Sequence, residues 1–213
     1  MEFELLNKKY NTEFTNKLLE SRDIFYEIYA ACGNKFNYGC GSYLFDGRTY
    51  KYCDLMYEKQ ELLYNKVKNR VNVLEIGTYM GHSLLIMLLS NPELNITCID
   101  ISNTYTLPAV TVLNKHFNNR IKFIHSDSLS ALKKMNDRFD FFHVDGHHQN
   151  DYISNEFNLI RKMNNSSDAI LRILFDDQKD LELLQENIKK FYNVIYTLTP
   201  TCSWSNIYFE IQL

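Results

Sequence analysis

Two groups of residues in this 213-residue chain have the types and spacing to do chemistry on a polar acceptor. The first is Asp145-Gly146-His147-His148, and the second is Asp176-Asp177. Each follows a short apolar run, FDFFHV before Asp145 and ILRILF before Asp176. If those runs are neighbouring strands, their ends lie ~5 Å apart. Carboxylates that close repel one another unless a cation joins them. Oxygen ligands with open water positions suit Mg²⁺ or Mn²⁺ better than zinc, so Asp145, Asp176 and Asp177 are the expected metal ligands. The competing use of strand-end aspartates is to cap helices in solvent. His148 stands three residues after Asp145, and a histidine, as a residue type, can take a proton from an attacking hydroxyl near neutral pH. A metal on that oxygen would ease the transfer, which makes His148 and Asp145 the expected catalytic pair. His143 reads as a packed strand histidine, His82 as a helix start, and His116 and His125 as structural or surface groups. His147 is a further candidate contact.

A second constellation precedes these groups: Leu74-Glu75-Ile76-Gly77-Thr78-Tyr79-Met80-Gly81-His82-Ser83 leaves a strand and enters a helix. Glycines at 77 and 81 permit a tight turn and close approach to a ligand. The spacing is not the GxGxxG that cradles a pyrophosphate. Glu75 adds a negative charge, which suits a cationic sulfonium and amino group better than a diphosphate. Asp100 ends the next strand, where an acidic group can bond ribose hydroxyls or cap a helix. After the third strand, Asp127 and Ser128 are placed to reach an adenine ring or to cap a helix at Leu129.

These motifs need a scaffold that brings strand ends together, and from Val71 onward the pattern supplies one. VNVLEI, NITCID, IKFIHS, FDFFHVD and AILRILFDD alternate with helical segments, giving five strand-then-helix units and a parallel sheet covered on both faces. The bare apolar runs fit strands buried on both sides. The tail, YNVIYTLTPTCSWSNIYFEIQL, reads as an antiparallel hairpin around Thr-Pro-Thr-Cys-Ser. Residues 1–70 form a separate extension. Leu5 to Tyr29 reads as helical, a Gly-, Tyr- and Cys-rich stretch follows, and Asp54 to Lys68 reads as a helix burying Leu55, Tyr57 or Glu58, Leu62 and Leu63. Tyr38, Tyr43, Phe45, Tyr50 and Tyr52 are expected to stack over an acceptor, or else to pack on the sheet or at a homodimer contact. Trp204, on the final hairpin, reads as core or else as an acceptor contact.

The motif set E-I-G-T-x-x-G-x-S, then I-D, S-D-S and V-D-G-x-H at successive strands, resembles class I S-adenosylmethionine-dependent methyltransferases. It is most similar to the small metal-assisted O-methyltransferases: the macrocin-type sugar enzymes and, more distantly, the catechol type. The likeness runs from about Gln60 to Asp177. It implies a doubly wound α/β sheet of order 3-2-1-4-5-7-6 with the last strand antiparallel, spanning residues 71–213. It implies S-adenosylmethionine held by Glu75, Gly77, Thr78, Gly81, Ser83, Asp100, Asp127 and Ser128, with Mg²⁺ or Mn²⁺ on Asp145, Asp176 and Asp177. Where that family commonly has D-G-D-H, His147 departs from the pattern. The implied reaction is methylation of a hydroxyl on a small acceptor, a sugar or glycan hydroxyl or a vicinal diol. The alternatives are a metal-independent N- or protein methyltransferase and a non-catalytic nucleotide-binding domain.

Composition agrees with a single α/β domain plus an extension. The net charge of −3 comes from 23 basic and 26 acidic residues, without the basic excess of a nucleic-acid binder. No apolar run approaches the ~20 residues that cross a bilayer, so no membrane partner is expected. Cys32, Cys40, Cys53, Cys98 and Cys202 lack zinc spacing and read as reduced thiols in a cytoplasmic protein.

Overall fold

The computed structural model describes residues 3, 6–177, 181–202 and 204–213. The chain begins with α1 (Leu6–Lys9), α2 (Glu13–Glu20) and α3 (Arg22–Ala31), then a long irregular segment leads to α4 (Tyr57–Val67). One continuous helix to Tyr29 was the expectation, and the structure corrects it. Thr12 accepts from the Thr15 N–H at 3.2 Å and caps α2, and the chain restarts after Ser21. Leu5 lies outside the described residues. Leu55 is also corrected: it sits in a single helical turn ahead of α4 and is 60% exposed.

From there strands and helices alternate: β1 (Asn72–Ile76), α5 (His82–Ser90), β2 (Asn95–Asp100), α6 (Thr106–His116), β3 (Ile121–His125), α7 (Ser128–Leu132), β4 (Phe141–Val144), α8 (Asn150–Ile160), β5 (Ile170–Phe175) and α9 (Glu182–Phe191). The chain closes with β6 (Asn193–Leu198) and β7 (Ile207–Gln212). The seven strands form one sheet of order β3-β2-β1-β4-β5-β7-β6. β7 runs antiparallel to both neighbours, and the pairs among β1 to β5 are parallel. The expected sheet order and terminal hairpin are both found. Ser203, in the hairpin's turn, lies outside the described residues.

One hydrophobic core lies on each face of the sheet. Every residue of α5 is buried, as a helix apolar on all sides requires. One core packs α5 and α6 together with Phe14, Leu18, Phe25, Ile28, Leu63 and Val67, so the N-terminal helices share the sheet's core. The other packs Leu132, Ile153, Phe157, Leu184 and Ile188 of α7, α8 and α9.

Strand register delivers the site. Glu75 pairs with His143, which pairs with Leu174. The ladder runs one residue past the strands: Asp145 N–H donates to Ile76 O at 2.7 Å, and Asp176 N–H to Val144 O at 2.9 Å. Gly77 N–H donates to Ile99 O at 2.9 Å. Gly77, Asp145 and Asp176 therefore stand side by side on the carboxyl rim, where open α/β sheets take their ligands. All five cysteines are free. Among the described residues, no helix is long and apolar enough to cross a membrane.

Candidate active site

The first cavity, of about 290 Å³, opens where β1, β2, β3 and β4 end. Its walls include Gly77, Thr78, Ser83, Asp100, Asp127, Ser128 and Asp145. The turn after β1 is tightly specified. Gly77 has φ +78, and a Cβ there would fall 2.0 Å from the Asp145 carbonyl oxygen. Glycine at 77 is thus required by the closeness of β1 and β4, and that closeness shapes the cavity wall.

Asp100 organises this turn. Its Oδ2 accepts from Thr78 N–H (3.0 Å), Tyr79 N–H (2.8 Å) and Thr106 Oγ1 (3.0 Å), while Oδ1 accepts from Ser102 N–H (2.8 Å). A carboxylate has about four lone-pair directions, so Oδ1 keeps capacity for a ligand hydroxyl. Tyr79 stands at φ +51, a backbone cost that a functional turn can sustain. Asp127 caps α7 through Ser130 N–H (2.8 Å), and α7 starts at Ser128, one residue earlier than expected.

Glu75 and Gly81 were expected cofactor contacts, yet neither lines the cavity. Gly81 is the left-handed residue before α5, and Glu75 lies fully buried beneath the turn. Glu75 Oε2 accepts from Thr78 Oγ1 (2.8 Å), and its Oε1 meets His143 Nδ1 (2.9 Å). With Nδ1–H donating to Glu75, His143 Nε2 accepts from Tyr43 O–H (2.8 Å), and Asn206 donates to Tyr43 Oη (3.1 Å). His143 is thus buried, as its strand position predicts, but it serves as a polar link. One set of donor directions is consistent along the links from Asn206 through Tyr43 and His143 to Glu75.

Glu156 on α8 is a second buried carboxyl, bonded to Ser128 Oγ. Burial raises its pKa from 4.5 to about 7, partly offset by the Ser128 bond. Between those values the folded chain holds a proton that the unfolded chain releases, so stability falls as pH rises through that window. At 1.36 kcal/mol per unit, Glu156→Gln should gain up to about 3 kcal/mol over wild type at pH 8 and nothing at pH 4. Urea midpoints at the two pH values test this, and equal gains would refute it.

A second cavity of about 520 Å³ adjoins the first, sharing Gly41, Ser42, Tyr79 and Asp145. Asp145, His148, Asp176, Asp177, Lys59 and Trp204 all line it. The two aspartates after β5 diverge because the chain turns left-handed at Asp177, with φ +49. Asp177 Oδ2 lies 3.3 Å from His148 Nδ1, and His148 Nε2 lies 3.9 Å from Asp145 Oδ1. Asp176 instead faces Lys59, whose Nζ donates to both of its oxygens at 2.7 Å. Both side chains are buried. Burial opposes the Lys59 charge, but Asp176 and Asp145 outweigh it and its pKa ends above the usual lysine value. Desolvation, then Asp176, hold the Asp145 carboxyl well above the usual carboxylate range.

This geometry tests the expected metal. Asp145, His148 and Asp177 offer donor atoms within 4.8 Å of one another. The three-aspartate set does not fit as expected, because Asp176 already has a cation on both oxygens.

Lys59 escaped the sequence reading, although its place three and four residues before Leu62 and Leu63 was a signal of the buried face. Tyr43, Phe45, Tyr50 and Tyr52 are buried in packing and only Tyr38 of the five is well exposed, which is the packing alternative rather than the stacking one. Trp204, expected in the core, is 53% exposed at the second cavity. His147 lines the first cavity, stacked on Tyr152 at 4.6 Å.

Residues 74–177 match the family described as a methyltransferase domain. A caffeoyl-CoA O-methyltransferase-like protein of Arabidopsis thaliana is 40% identical over 85 residues, covering 38% of this chain and 37% of that one. This chain therefore spans little over a third of that relative's length in the match. An O-methyltransferase from Bacillus cereus, solved with SAH, superposes with TM-score 0.66 at 14% identity, covering 90% of this chain and 91% of that one. A SAH-bound methyltransferase of Podospora anserina superposes with TM-score 0.63 at 14% identity, covering 88% and 87%. At such identity these two report the fold.

Proposed function

We propose that this chain, whose residues 74–177 match a methyltransferase domain, transfers a methyl group from S-adenosylmethionine to a hydroxyl of a small acceptor. One observation carries the reading: the two cavities meet at Asp145, one suited to the cofactor and the other holding a histidine and the acidic groups. Among the described residues, the first cavity's lining includes the acidic groups Asp100 and Asp127 and no lysine or arginine. That sign suits a cationic ligand with ribose hydroxyls and disfavours a diphosphate.

S-adenosylmethionine, when bound, supplies an electrophilic methyl on a sulfonium. Asp100 would hold the ribose, Thr78 and Ser83 the part nearer the turn, and Asp127, Ser128 and His147 the adenine side. In the second cavity His148 is the general base. With its Nδ1 3.3 Å from Asp177 Oδ2, His148 would take the proton of the acceptor hydroxyl at Nε2, which lies 3.9 Å from Asp145 Oδ1. As His148 takes that proton, the acceptor oxygen bonds to the methyl carbon and sulfur keeps the electron pair. The protein's main contribution is alignment across the shared wall. A sugar hydroxyl or vicinal diol remains the favoured acceptor class, supported by the Lys59, His148 and Asp177 side chains that line this cavity and by the resemblance to the sugar enzymes.

Titration with S-adenosylhomocysteine should release heat with micromolar affinity, and Asp100→Ala should weaken it roughly tenfold or more, the loss expected for a charge-assisted bond. Absence of heat at millimolar ligand sinks the cofactor assignment. Transfer of labelled methyl to a panel of glycans and catechols then identifies the acceptor class.

A further inference from the structure

We propose that Lys59 is the resident cation of the acceptor cavity, so that its ammonium does the work expected of a divalent metal and methyl transfer proceeds without one. This rests on the methyl-transfer reading above.

Of the three carboxylates on the carboxyl rim, two have a partner without a metal. Asp176 has Lys59 on both oxygens at 2.7 Å. Asp177 has His148 at 3.3 Å. Asp145 lines both cavities and faces the one where a sulfonium would sit. An ammonium has three N–H donors, and Asp176 takes two, leaving one for an acceptor oxygen in the cavity that Lys59 lines. From there Lys59 stabilises negative charge on that oxygen as His148 withdraws its proton, and Lys59 itself exchanges no proton.

The position is built rather than incidental. Lys59 lies inside α4, and its Nζ stands 4.5 Å from the centre of the Tyr43 ring. Its neighbour Gln60 bonds Tyr43 O (2.5 Å), Cys53 O (3.0 Å) and Tyr52 O–H (2.7 Å), which fastens α4 to the 41–53 segment. A surface lysine would swing, whereas this one is buried and held by Asp176 and the Tyr43 ring.

The test titrates chelator-treated full-length protein with Mn²⁺, following the free-ion paramagnetic signal, and measures labelled-methyl transfer to the best panel acceptor with and without EDTA. Wild type should bind no Mn²⁺ below about 1 mM, the weak end of carboxylate sites, and should keep its turnover in EDTA. Lys59→Met should lose about a hundredfold in turnover, the scale of one electrostatic donor at a reacting oxygen. It should also bind Mn²⁺ roughly tenfold more tightly than wild type, because the acidic cluster has lost its counter-ion. Stoichiometric Mn²⁺ uptake by wild type at micromolar concentration, abolished in Asp145→Asn, overturns the proposal, as does loss of turnover in EDTA restored by Mg²⁺. The wild-type measurements decide the matter even if Lys59→Met fails to fold. Heat from S-adenosylhomocysteine, read in parallel without metal, separates failure of this inference from failure of the cofactor assignment.

Discussion

Gly77→Ala is expected to abolish cofactor binding and to remove roughly 2–5 kcal/mol of stability, from left-handed strain and overpacking together. The added methyl would sit 2.0 Å from the Asp145 carbonyl oxygen, 2.5 Å from its carbon and 2.9 Å from Gly146 Cα, all backbone atoms. Those atoms cannot move alone, because Asp145 N–H is bonded to Ile76 O at 2.7 Å and belongs to the β1–β4 ladder. Relief requires parting the two strand ends, and that displaces the shared wall of both cavities. Gly81→Ala is the internal comparison. Its φ of +69 also favours glycine, but the nearest atoms are side-chain carbons of Ala109 at 3.2 Å and Leu113 at 3.4 Å. It should cost about 1 kcal/mol, chiefly from backbone strain, and retain binding. Denaturant midpoints and S-adenosylhomocysteine titrations of both variants check the pair. A Gly77→Ala protein with wild-type midpoint and affinity would refute the argument.

His148→Ala should lower turnover by about 10²–10⁴, the usual worth of a positioned general base, while leaving S-adenosylhomocysteine affinity unchanged. The split follows from placement: His148 lines the second cavity and not the first, whereas His147 lines the first and not the second. His147→Ala should accordingly weaken cofactor affinity and spare the chemical step at saturation. Asp177→Asn should fall between them, since it keeps a hydrogen-bond acceptor for His148 Nδ1 and loses the charge that stabilises the imidazolium. Single-turnover transfer of labelled methyl, at saturating cofactor and across pH, measures all three. Loss of the acidic-limb pH dependence in His148→Ala alone would mark it as the titrating base. Equal effects of the two histidine variants on turnover would remove His148 from that role.

How much of this was legible beforehand follows from the range of the interactions involved. The alternation of apolar runs with helical segments is a local signal, so the strands, the helices after them and the antiparallel hairpin could be read from residues close in sequence. The sheet order came with the motif resemblance, and the structure agrees. The turn after β1 was legible for the same reason: Gly77, Thr78 and Asp100 lie at or just beyond the ends of β1 and β2, whose place on the carboxyl rim is dictated by connection rules. The broken N-terminal helix was less legible, because capping by Thr12 outweighed an apolar spacing that continues across the break.

The sequence by itself determined the sheet, the rim on which ligands gather, and the presence there of Asp145, His148, Asp176 and Asp177. Only the tertiary structure decided how those groups are partnered. Lys59 reaches Asp176 across 117 positions, and His143 meets Tyr43 across 100. Such pairings depend on where α4 and the 41–53 segment pack, and no local periodicity encodes that. The left-handed turn at Asp177 likewise accompanies two adjacent carboxylates facing different partners, Lys59 and His148, which composition does not specify. Charge in a buried site is decided by its nearest counter-ion, and here that counter-ion comes from a distant part of the chain.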